Sequence, residues 1–360
     1  MKRPLMPFSF STQDLSDWLH QNGYYQACGI PAFTTQRVCP VQNARYERRL
    51  RAGRPLPLGA HSHPSRFLNR VSESCQRLYR ALYLHQKLDL PDWPGLLEGG
   101  QALWQVSPLW TRAGLRQIFS SIPGRSPGEF VYLGDDSGLL IESSWHWLQE
   151  RGRGRAADLC CGCGVVGLSL PDGFEEVVGL DYNEQSLELA RLNHSLNRPG
   201  LECRYDFSDM WSAARGQFDY VVGNPPALPV SSDLMYAYGG EDPAALTLRA
   251  VAGLDEYLAP GGKCLLLSFS VRDRLWEQLQ DLLSQDFSLE YEPRKRLIMT
   301  DARLGWMEHV YLRIERDYRG RRVRKPISWL NWASQWSLPW IEAEPPPQQC
   351  YAGSQRSPVN

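Results

Sequence analysis

The second half of the chain shows a regular alternation of short apolar runs and helical stretches, which limits the folds that it can adopt. The apolar runs lie at 156–160, 177–181, 218–223, 263–269 and 309–314, and the helical stretches lie at 184–196, 243–258 and 272–285. Strands that alternate with helices pair in parallel through crossover connections. The order therefore predicts an α/β protein with a doubly wound, mostly parallel sheet.

The segments on either side of this region have a different character. Residues 1–129 contain apolar residues at helical spacing and a Pro-rich loop, and they predict a mainly helical region that serves in substrate recognition or as a lid. Residues 318–360 begin with a basic stretch, continue with tryptophans and end without periodicity, which is typical of a disordered tail. We therefore predict three parts, with the central domain at 130–317.

Composition narrows the classes of partner. The formal net charge of -1 gives no cationic field that would gather phosphate backbones, so nucleic acid is not favoured as a partner. The chain has no run of about 18 apolar residues and no apolar signal sequence near its start, which predicts a cytoplasmic protein without a membrane partner. Nine cysteines without disulfide spacing indicate reduced thiols. Composition does not predict the oligomeric state.

A glycine-rich loop follows the first apolar run. In this loop, Gly162, Gly164 and Gly167 allow a tight turn and a close approach of the backbone to a ligand, and the next helix offers free N–H groups. About 20 residues later, Asp181 ends the next apolar run, where a carboxylate accepts hydrogen bonds from ribose hydroxyls. The pair indicates an adenosine-containing cofactor and leaves a dinucleotide and S-adenosylmethionine (SAM) open.

A rigid turn, Asn224-Pro225-Pro226, ends the third apolar run. The prolines force the chain to turn at the carboxyl edge of the sheet, where open α/β sheets bind their ligands. The turn fixes the Asn224 side chain and a backbone carbonyl as acceptors for the N–H of an amine or amide. Such acceptors present a nitrogen lone pair to an electrophilic methyl group, which favours SAM.

Together these motifs resemble class I (Rossmann-like) SAM-dependent methyltransferases with an NPPY-type motif, in particular the release-factor glutamine and adenine-N6 methyltransferase group. The resemblance covers about residues 130–315 and includes Gly239-Gly240-Glu241-Asp242 and the segment 258–262. It implies a seven-stranded Rossmann-like sheet, SAM as the cofactor and a transferase that needs no metal.

The resemblance also implies a role for each matching residue. It assigns cofactor binding to Asp158, Gly162, Gly164, Asp181, Tyr182, Asp209, Met210 and Asn224, and catalysis to Asn224, Pro225 and Pro226. Asp158 would lie near the methionine end of SAM, and Gly162 and Gly164 would line the sulfonium. Asp181 would bind the ribose hydroxyls, and Asp209 would receive the adenine amino group.

One position departs from the family pattern. The NPPY-type motif ends in a Tyr or Phe that stacks on a flat substrate, and this chain has Ala227 there. The missing stack is worth about 1–3 kcal/mol. Either Tyr236 or Tyr238 supplies a ring at the substrate site, or the substrate is not flat. We therefore expect N-methylation of a small amine- or amino-acid-like metabolite, in a biosynthetic pathway.

Three other functions fit the same motifs. The acceptor can be a protein glutamine amide or a nucleic-acid base nitrogen. The pocket can also bend SAM so that its own amine attacks its side chain, which releases methylthioadenosine. The third alternative is a protein that binds SAM without turnover, and the intact Asp181, Asp209 and Asn224 count against it.

Two further clusters have a plain structural interpretation. Cys160, Cys161 and Cys163 lie in the cofactor turn without a second pair of ligands at zinc spacing, so we expect no metal. The basic stretch from Arg319 to Lys325 and the tryptophans after it can form a nucleic-acid surface, but a solvated turn followed by an amphipathic helix is the simpler expectation.

Overall fold

A computed structural model of the chain describes residues 11–24, 71–108, 113–115, 117–122, 125–227, 238–239, 242–298 and 306–326. The predicted substrate residue Tyr236, the matched Glu241 and the Trp-rich segment after residue 326 lie outside the described residues. Within those ranges, no helix is both long and apolar enough to cross a lipid bilayer.

The part before residue 130 contains helices and β-hairpins. Its elements are α1 (Thr12–Gln21), α2 (Glu73–Leu82), β1 (Leu97–Glu98), β2 (Gln101–Ala102), β3 (Trp104–Pro108) and β4 (Gln117–Ser121). The prediction of a mainly helical region thus misses two antiparallel hairpins, β1–β2 and β3–β4. The first turns at Gly99 and Gly100, which both have positive φ, as a tight two-residue turn requires.

A sheet of eight strands forms the centre of the described protein. Its strands are β5 (Gly154–Leu159), β6 (Phe174–Asp181), β7 (Cys203–Phe207), β8 (Phe218–Gly223), β9 (Leu258–Val271), β10 (Ser288–Ile298), β11 (Trp306–Glu315) and β12 (Arg322–Arg324). Their order is β12-β10-β11-β9-β8-β5-β6-β7. Strands β5 to β9 are parallel, and β11 is antiparallel to both of its neighbours. This confirms the predicted doubly wound, mostly parallel sheet.

The predicted number of seven strands is wrong by one, because β12 pairs in parallel with β10 at the edge of the sheet. This strand has only three residues, and its sequence Arg-Val-Arg carries no apolar pattern. Arg322 fixes it by donating to the carbonyls of Leu283 and Ser284 at 2.8 and 2.9 Å, near the end of the preceding helix. Tertiary hydrogen bonds therefore form the eighth strand.

Helices cover both faces of the sheet. They are α3 (Asp135–Trp147), α4 (Val165–Leu168), α5 (Glu184–Asn197), α6 (Ala245–Ala252), α7 (Leu254–Tyr257) and α8 (Arg274–Leu282). Successive strand residues point to opposite faces. Thus Ala156 belongs to the core under α3, α4 and α5, and Ala157 to the core under α6, α7 and α8. The hairpin β3–β4 shares the first of these cores through Val106 and Phe119.

The basic stretch before Pro326 is bonded into the fold. Arg324 forms ion pairs with Asp273 and with the buried Glu308, and Lys325 pairs with Glu290 at 2.6 Å. These cations are neutralised within the chain. The expected solvated turn is therefore wrong at Arg322–Arg324, which form β12, and the expected amphipathic helix lies outside the described residues.

Candidate functional site

A cavity of about 300 Å³ opens at the carboxyl ends of β5, β6, β7 and β8. This is the edge at which open α/β sheets bind ligands, and the volume lies at the small end of the range for ligand pockets. Asp158, Asp181 and Asp209 line it, and no Lys or Arg is among the described residues of its wall. The cavity therefore favours a ligand that carries positive charge.

The glycine loop forms one wall of this cavity. Gly162 has φ +52°, and a Cβ built there would meet only the Tyr132 carbonyl oxygen, at 3.8 Å. A side chain at this position would therefore project into the open space beside the loop. Gly164 has φ +77° and a different role, because its Cβ would lie 2.9 Å from the Cβ of Ala190. Gly164 is not among the residues of the cavity wall; it lets the loop pack closely on α5.

Asp181 ties the glycine loop to the end of β6. Its Oδ2 accepts from the Gly162 N–H at 2.8 Å, and its Oδ1 accepts from the Asn183 N–H at 2.9 Å. Burial raises the pKa of Asp181, and these two backbone donors oppose the rise. The carboxylate is half-buried and reaches the cavity, so it can accept hydroxyl hydrogen bonds from a ligand.

Asp158 is almost fully buried, with 3% of its surface exposed. Burial raises its pKa to about 7; the hydrogen bond from the Gly167 N–H opposes this effect and the negative Asp181 adds to it. The Gly167 donor lies 2.8 Å from Oδ2, at the start of α4. Asp158 therefore changes charge near neutral pH in the protein without ligand.

This shift predicts a pH-dependent stability. The folded-state pKa lies above the ordinary value of 3.8, so between about pH 4 and 7 the folded state retains a proton that the unfolded state has lost. Stability from this group is present below pH 4 and falls as the pH rises to about 7, by on the order of 1–4 kcal/mol. Asp158→Asn should remove this fall in stability with pH, because the amide does not titrate and its oxygen can still accept from the Gly167 N–H.

Thermal unfolding of the SAM-free protein at pH 5 and pH 8 measures the effect. We expect the difference in Tm between the two pH values to shrink in Asp158→Asn relative to the parent. Asp206→Asn, on β7, is the control for removing a carboxylate near the sheet edge. An unchanged pH dependence in Asp158→Asn would contradict the prediction.

Asp209 and Met210 follow the end of β7 and line the cavity. Asp209 is exposed and pairs with Arg249 of α6, with Arg249 Nη2 lying 2.9 Å from Asp209 Oδ1. Both side chains are about half exposed, so water screens the pair and its contribution to stability is small. Its effect is to orient Asp209. Arg249 is distant in sequence, and no motif in the chain indicated this contact.

The three loop cysteines also line the cavity. Burial raises the pKa of each thiol, and the negative charges of Asp181 and Asp158 add to the rise for Cys160 and Cys161. The thiols are therefore protonated at neutral pH in the protein without ligand. Among the described residues, no group of three or more His, Cys, Asp or Glu side chains is arranged to hold a metal ion.

The turn after β8 brings Asn224 and Pro226 into the cavity wall. Pro225 is buried behind them and is not among the residues of the wall. Ala227 is also buried, at 3% exposure, because Gly239 packs on it: a Cβ at Gly239 would lie 2.8 Å from the Ala227 Cα. Tyr238, the neighbour of Gly239 in the chain, lines the same cavity as Asn224.

The cavity thus unites most of the predicted site. Asp158, Gly162, Asp181, Tyr182, Asp209, Met210, Asn224, Pro226 and Tyr238 all line it. Gly164 and Pro225 lie just behind the wall, and Tyr236 lies outside the described residues. Their individual roles stay predictions. No motif indicated Tyr132 or Ser137, although both line the cavity: Tyr132 precedes α3, and Ser137 lies in its first turn.

Residues 134–271 match the family model "Methyltransferase small domain". These residues contain β5 to β9, the glycine loop and the turn at Asn224. The central part of this protein is a methyltransferase domain. SAM is therefore its cofactor, and the resemblance drawn from the motifs is confirmed at the level of the class.

Curated relatives align with the methyltransferase domain. A putative protein N5-glutamine methyltransferase of Methanocaldococcus jannaschii is 29% identical over 144 residues, which are 38% of this chain and 72% of the relative. The release factor glutamine methyltransferase of Bordetella pertussis is 31% identical, over 35% of this chain and 52% of the relative. The ribosomal RNA small subunit methyltransferase C of Pasteurella multocida is 29% identical, over 49% of this chain and 47% of the relative. The chain thus spans about half the length of the latter two.

Among solved structures, the T. thermophilus 16S rRNA N2 G1207 methyltransferase in complex with AdoMet and guanosine aligns at a TM-score of 0.41. It is 20% identical, and the alignment covers 76% of this chain and 62% of that chain.

The residues of the methyltransferase domain fit SAM on structural grounds. SAM carries a sulfonium and an ammonium group, and the cavity wall offers the carboxyl groups of Asp158 and Asp181 with no Lys or Arg among its described residues, whereas Asp209 is already paired with Arg249. The space beside Gly162 is open to a ligand, and the Asp181 carboxylate stands at the end of β6 where a ribose would be bound. Asp158, Gly162 and Asp181 are thus the residues that would hold it.

Proposed function

We propose that the chain is a SAM-dependent N-methyltransferase whose acceptor is the side-chain amide of a protein glutamine. The observation that carries the proposal is the joint position of Asn224 and Tyr238 in the wall of the cofactor cavity. Asn224 offers a polar acceptor for an N–H, and Tyr238 offers a flat face. A planar amide needs both.

The buried packing of Ala227 changes the argument for a substrate that is not flat. That expectation depended on the missing fourth aromatic of the motif. Ala227 is buried under Gly239 and is not among the residues of the cavity wall, whereas Tyr238 lines the cavity and would supply the ring. A flat acceptor would then keep a stacking partner.

The charge distribution favours a protein acceptor over a nucleic acid. The net charge is -1, the cavity wall carries three carboxylates, and Arg322, Arg324 and Lys325 are bonded within the fold. Phosphate backbones need clustered cations that are not already neutralised. The names of the first two relatives, both glutamine methyltransferases, support the same choice.

The residues of the site supply alignment for this chemistry. SAM, when bound, supplies a methyl group that is already activated on a sulfonium. Asn224 and the nearby backbone carbonyl would accept the amide N–H groups and so aim the nitrogen lone pair, and Tyr238 would hold the amide plane. The amide nitrogen must lose a proton when it gains the methyl group, and the open side of the cavity would let this proton pass to water.

Small amines remain the second candidate, favoured by the acidic side chains of the cavity wall and by the lack of Lys and Arg among its described residues. An assay with methyl-tritiated SAM separates the candidates in an extract of cells that lack the protein. Label in a protease-sensitive fraction that hydrolyses to N5-methylglutamine supports the proposal. Label in an RNase-sensitive or small-solute fraction overturns it in favour of a base or a small amine. Methylthioadenosine as the product would indicate cyclisation of SAM, and no turnover would indicate a binding protein.

Tyr238→Ala tests the stacking role. We expect kcat/KM for the acceptor to fall about 10- to 100-fold, since one stacking contact is worth about 1–3 kcal/mol, and Tyr238→Phe to retain most of it. SAM affinity should change less than about twofold. Tyr318→Ala, at an exposed tyrosine between β11 and β12, is the matched control. Equal loss in Tyr238→Phe and Tyr238→Ala would argue that the hydroxyl acts, not the ring.

A further inference from the structure

Two asparagines of α5 pair with the backbone of β4. The Phe119 N–H donates to Asn193 Oδ1 at 2.8 Å, and Asn193 Nδ2 donates to the Phe119 carbonyl at 3.0 Å. Asn197 repeats the pattern with Gln117, at 3.2 and 2.8 Å. Each side-chain amide therefore takes the place of a neighbouring strand.

The match is geometric. Residues four apart on a helix rise about 6 Å, and residues two apart on a strand rise about 6.6–6.8 Å. Gln117 and Phe119 present their backbone groups to the same edge of β4, and the other edge pairs with β3. Two amides one helical turn apart can therefore satisfy two alternate strand residues.

Asn193 makes one contact that Asn197 does not. Its Nδ2 also donates to the Cys163 carbonyl at 2.9 Å, inside the glycine loop. Asn193 is fully buried. One turn earlier on the same helix face, Ala190 packs on Gly164. The helix thus holds the loop and the hairpin from one face, and Asn193 is bonded to both.

The hairpin reaches the cavity at a second place. Ser121, the last residue of β4, donates its N–H to the Val131 carbonyl at 3.0 Å, and its Oγ accepts from the Val131 N–H at 2.9 Å. Val131 lines the cavity, as does Cys163. The hairpin is therefore connected to two separate parts of the cavity wall.

We propose that Asn193 is a positioning residue that fixes the glycine loop to the β3–β4 hairpin, so that docking of the hairpin and binding of SAM are coupled. The proposal rests on the loop being the SAM site. It gives the region before residue 130 a part in cofactor binding, in addition to any part in substrate recognition.

The test compares Asn193→Ala with Asn197→Ala, because both variants remove an amide that pairs with β4 and only the first removes the bond to Cys163. In the SAM-free protein, we expect hydrogen exchange over 160–168 to become faster in Asn193→Ala alone. In calorimetric titrations with SAM, we expect Kd to rise about tenfold in Asn193→Ala and less than twofold in Asn197→Ala.

Asn193→Asp covers the case in which Asn193→Ala does not fold. It keeps the shape and the acceptor for the Phe119 N–H but loses the amide donors, so we expect the same pattern. Equal effects in the Asn193 and Asn197 variants, or unchanged exchange over 160–168, would overturn the coupling. If the parent binds no SAM, the proposed function fails, and the exchange data alone still decide whether Asn193 holds the loop.

Discussion

Asn224→Ala is expected to lower the rate of methyl transfer about 10²- to 10³-fold, because the variant loses the side-chain acceptor that aims the substrate nitrogen. Removing one aligned polar group from a reaction centre has effects of this size. The fold should persist, since Asn224 is half-buried at the end of β8 and its neighbouring prolines still form the turn. Single-turnover rates with saturating SAM measure the effect apart from cofactor binding.

Asn22→Ala is a suitable control, because the Asn22 side chain donates to the Trp18 carbonyl at the end of α1 and Asn22 does not line the cavity. Its methyl transfer should match that of the parent. If Asn224→Ala transferred methyl groups at the parent's rate, the turn would not be part of the reaction centre. The interpretation as a protein that binds SAM without turnover would then gain support.

Asp181→Ala is expected to weaken SAM binding about 100-fold. The variant removes the acceptor for a ribose and also leaves the Gly162 and Asn183 N–H groups without their partner, so the glycine loop loses its bond to β6. Each hydrogen bond to a charged group is worth about 1.5–3 kcal/mol. Asp181→Asn retains one acceptor oxygen and should fall between the parent and the Ala variant.

Calorimetric titration with SAM measures this loss, and thermal unfolding without SAM separates it from a general loss of stability. The control is Asp206→Ala on β7, whose carboxylate pairs with Arg204 at 3.0 Å on the same edge of the sheet. A similar loss of SAM affinity in the Asp206 variant would show that SAM binding needs only an acidic side chain near this edge of the sheet. A loss confined to Asp181 would support a specific contact.

Strong local patterns made the centre of the fold predictable. The buried runs of β5, β6, β8 and β9 are continuous and apolar, so their sequence shows them directly. Strand β7 alternates Tyr205 with Arg204 and Asp206, which form ion pairs on its surface, so its sequence shows no apolar run that would predict a strand. Its pairing with β6 and the core contact of Tyr205 decide its conformation.

The candidate site likewise contains residues that the sequence predicted and residues that it did not. Gly162, Asp181 and Asn224 follow apolar runs directly, so chain order alone places them at one edge of the sheet. Tyr132 reaches the cavity from a segment without a motif, and Arg249 meets Asp209 across 40 residues of sequence. Such contacts depend on how α3 and α6 pack, which the spacing of residues does not encode.

The pairing of α5 with β4 also bears on self-association. A hairpin with an open edge presents unpaired N–H and C=O groups, which are a template for strand addition by a second molecule. Here the amides of Asn193 and Asn197 occupy those groups at Phe119 and Gln117. The same two side chains therefore prevent strand addition at this edge of β4. A change that displaces α5 would expose the edge to a second molecule and would also weaken the contact with the glycine loop.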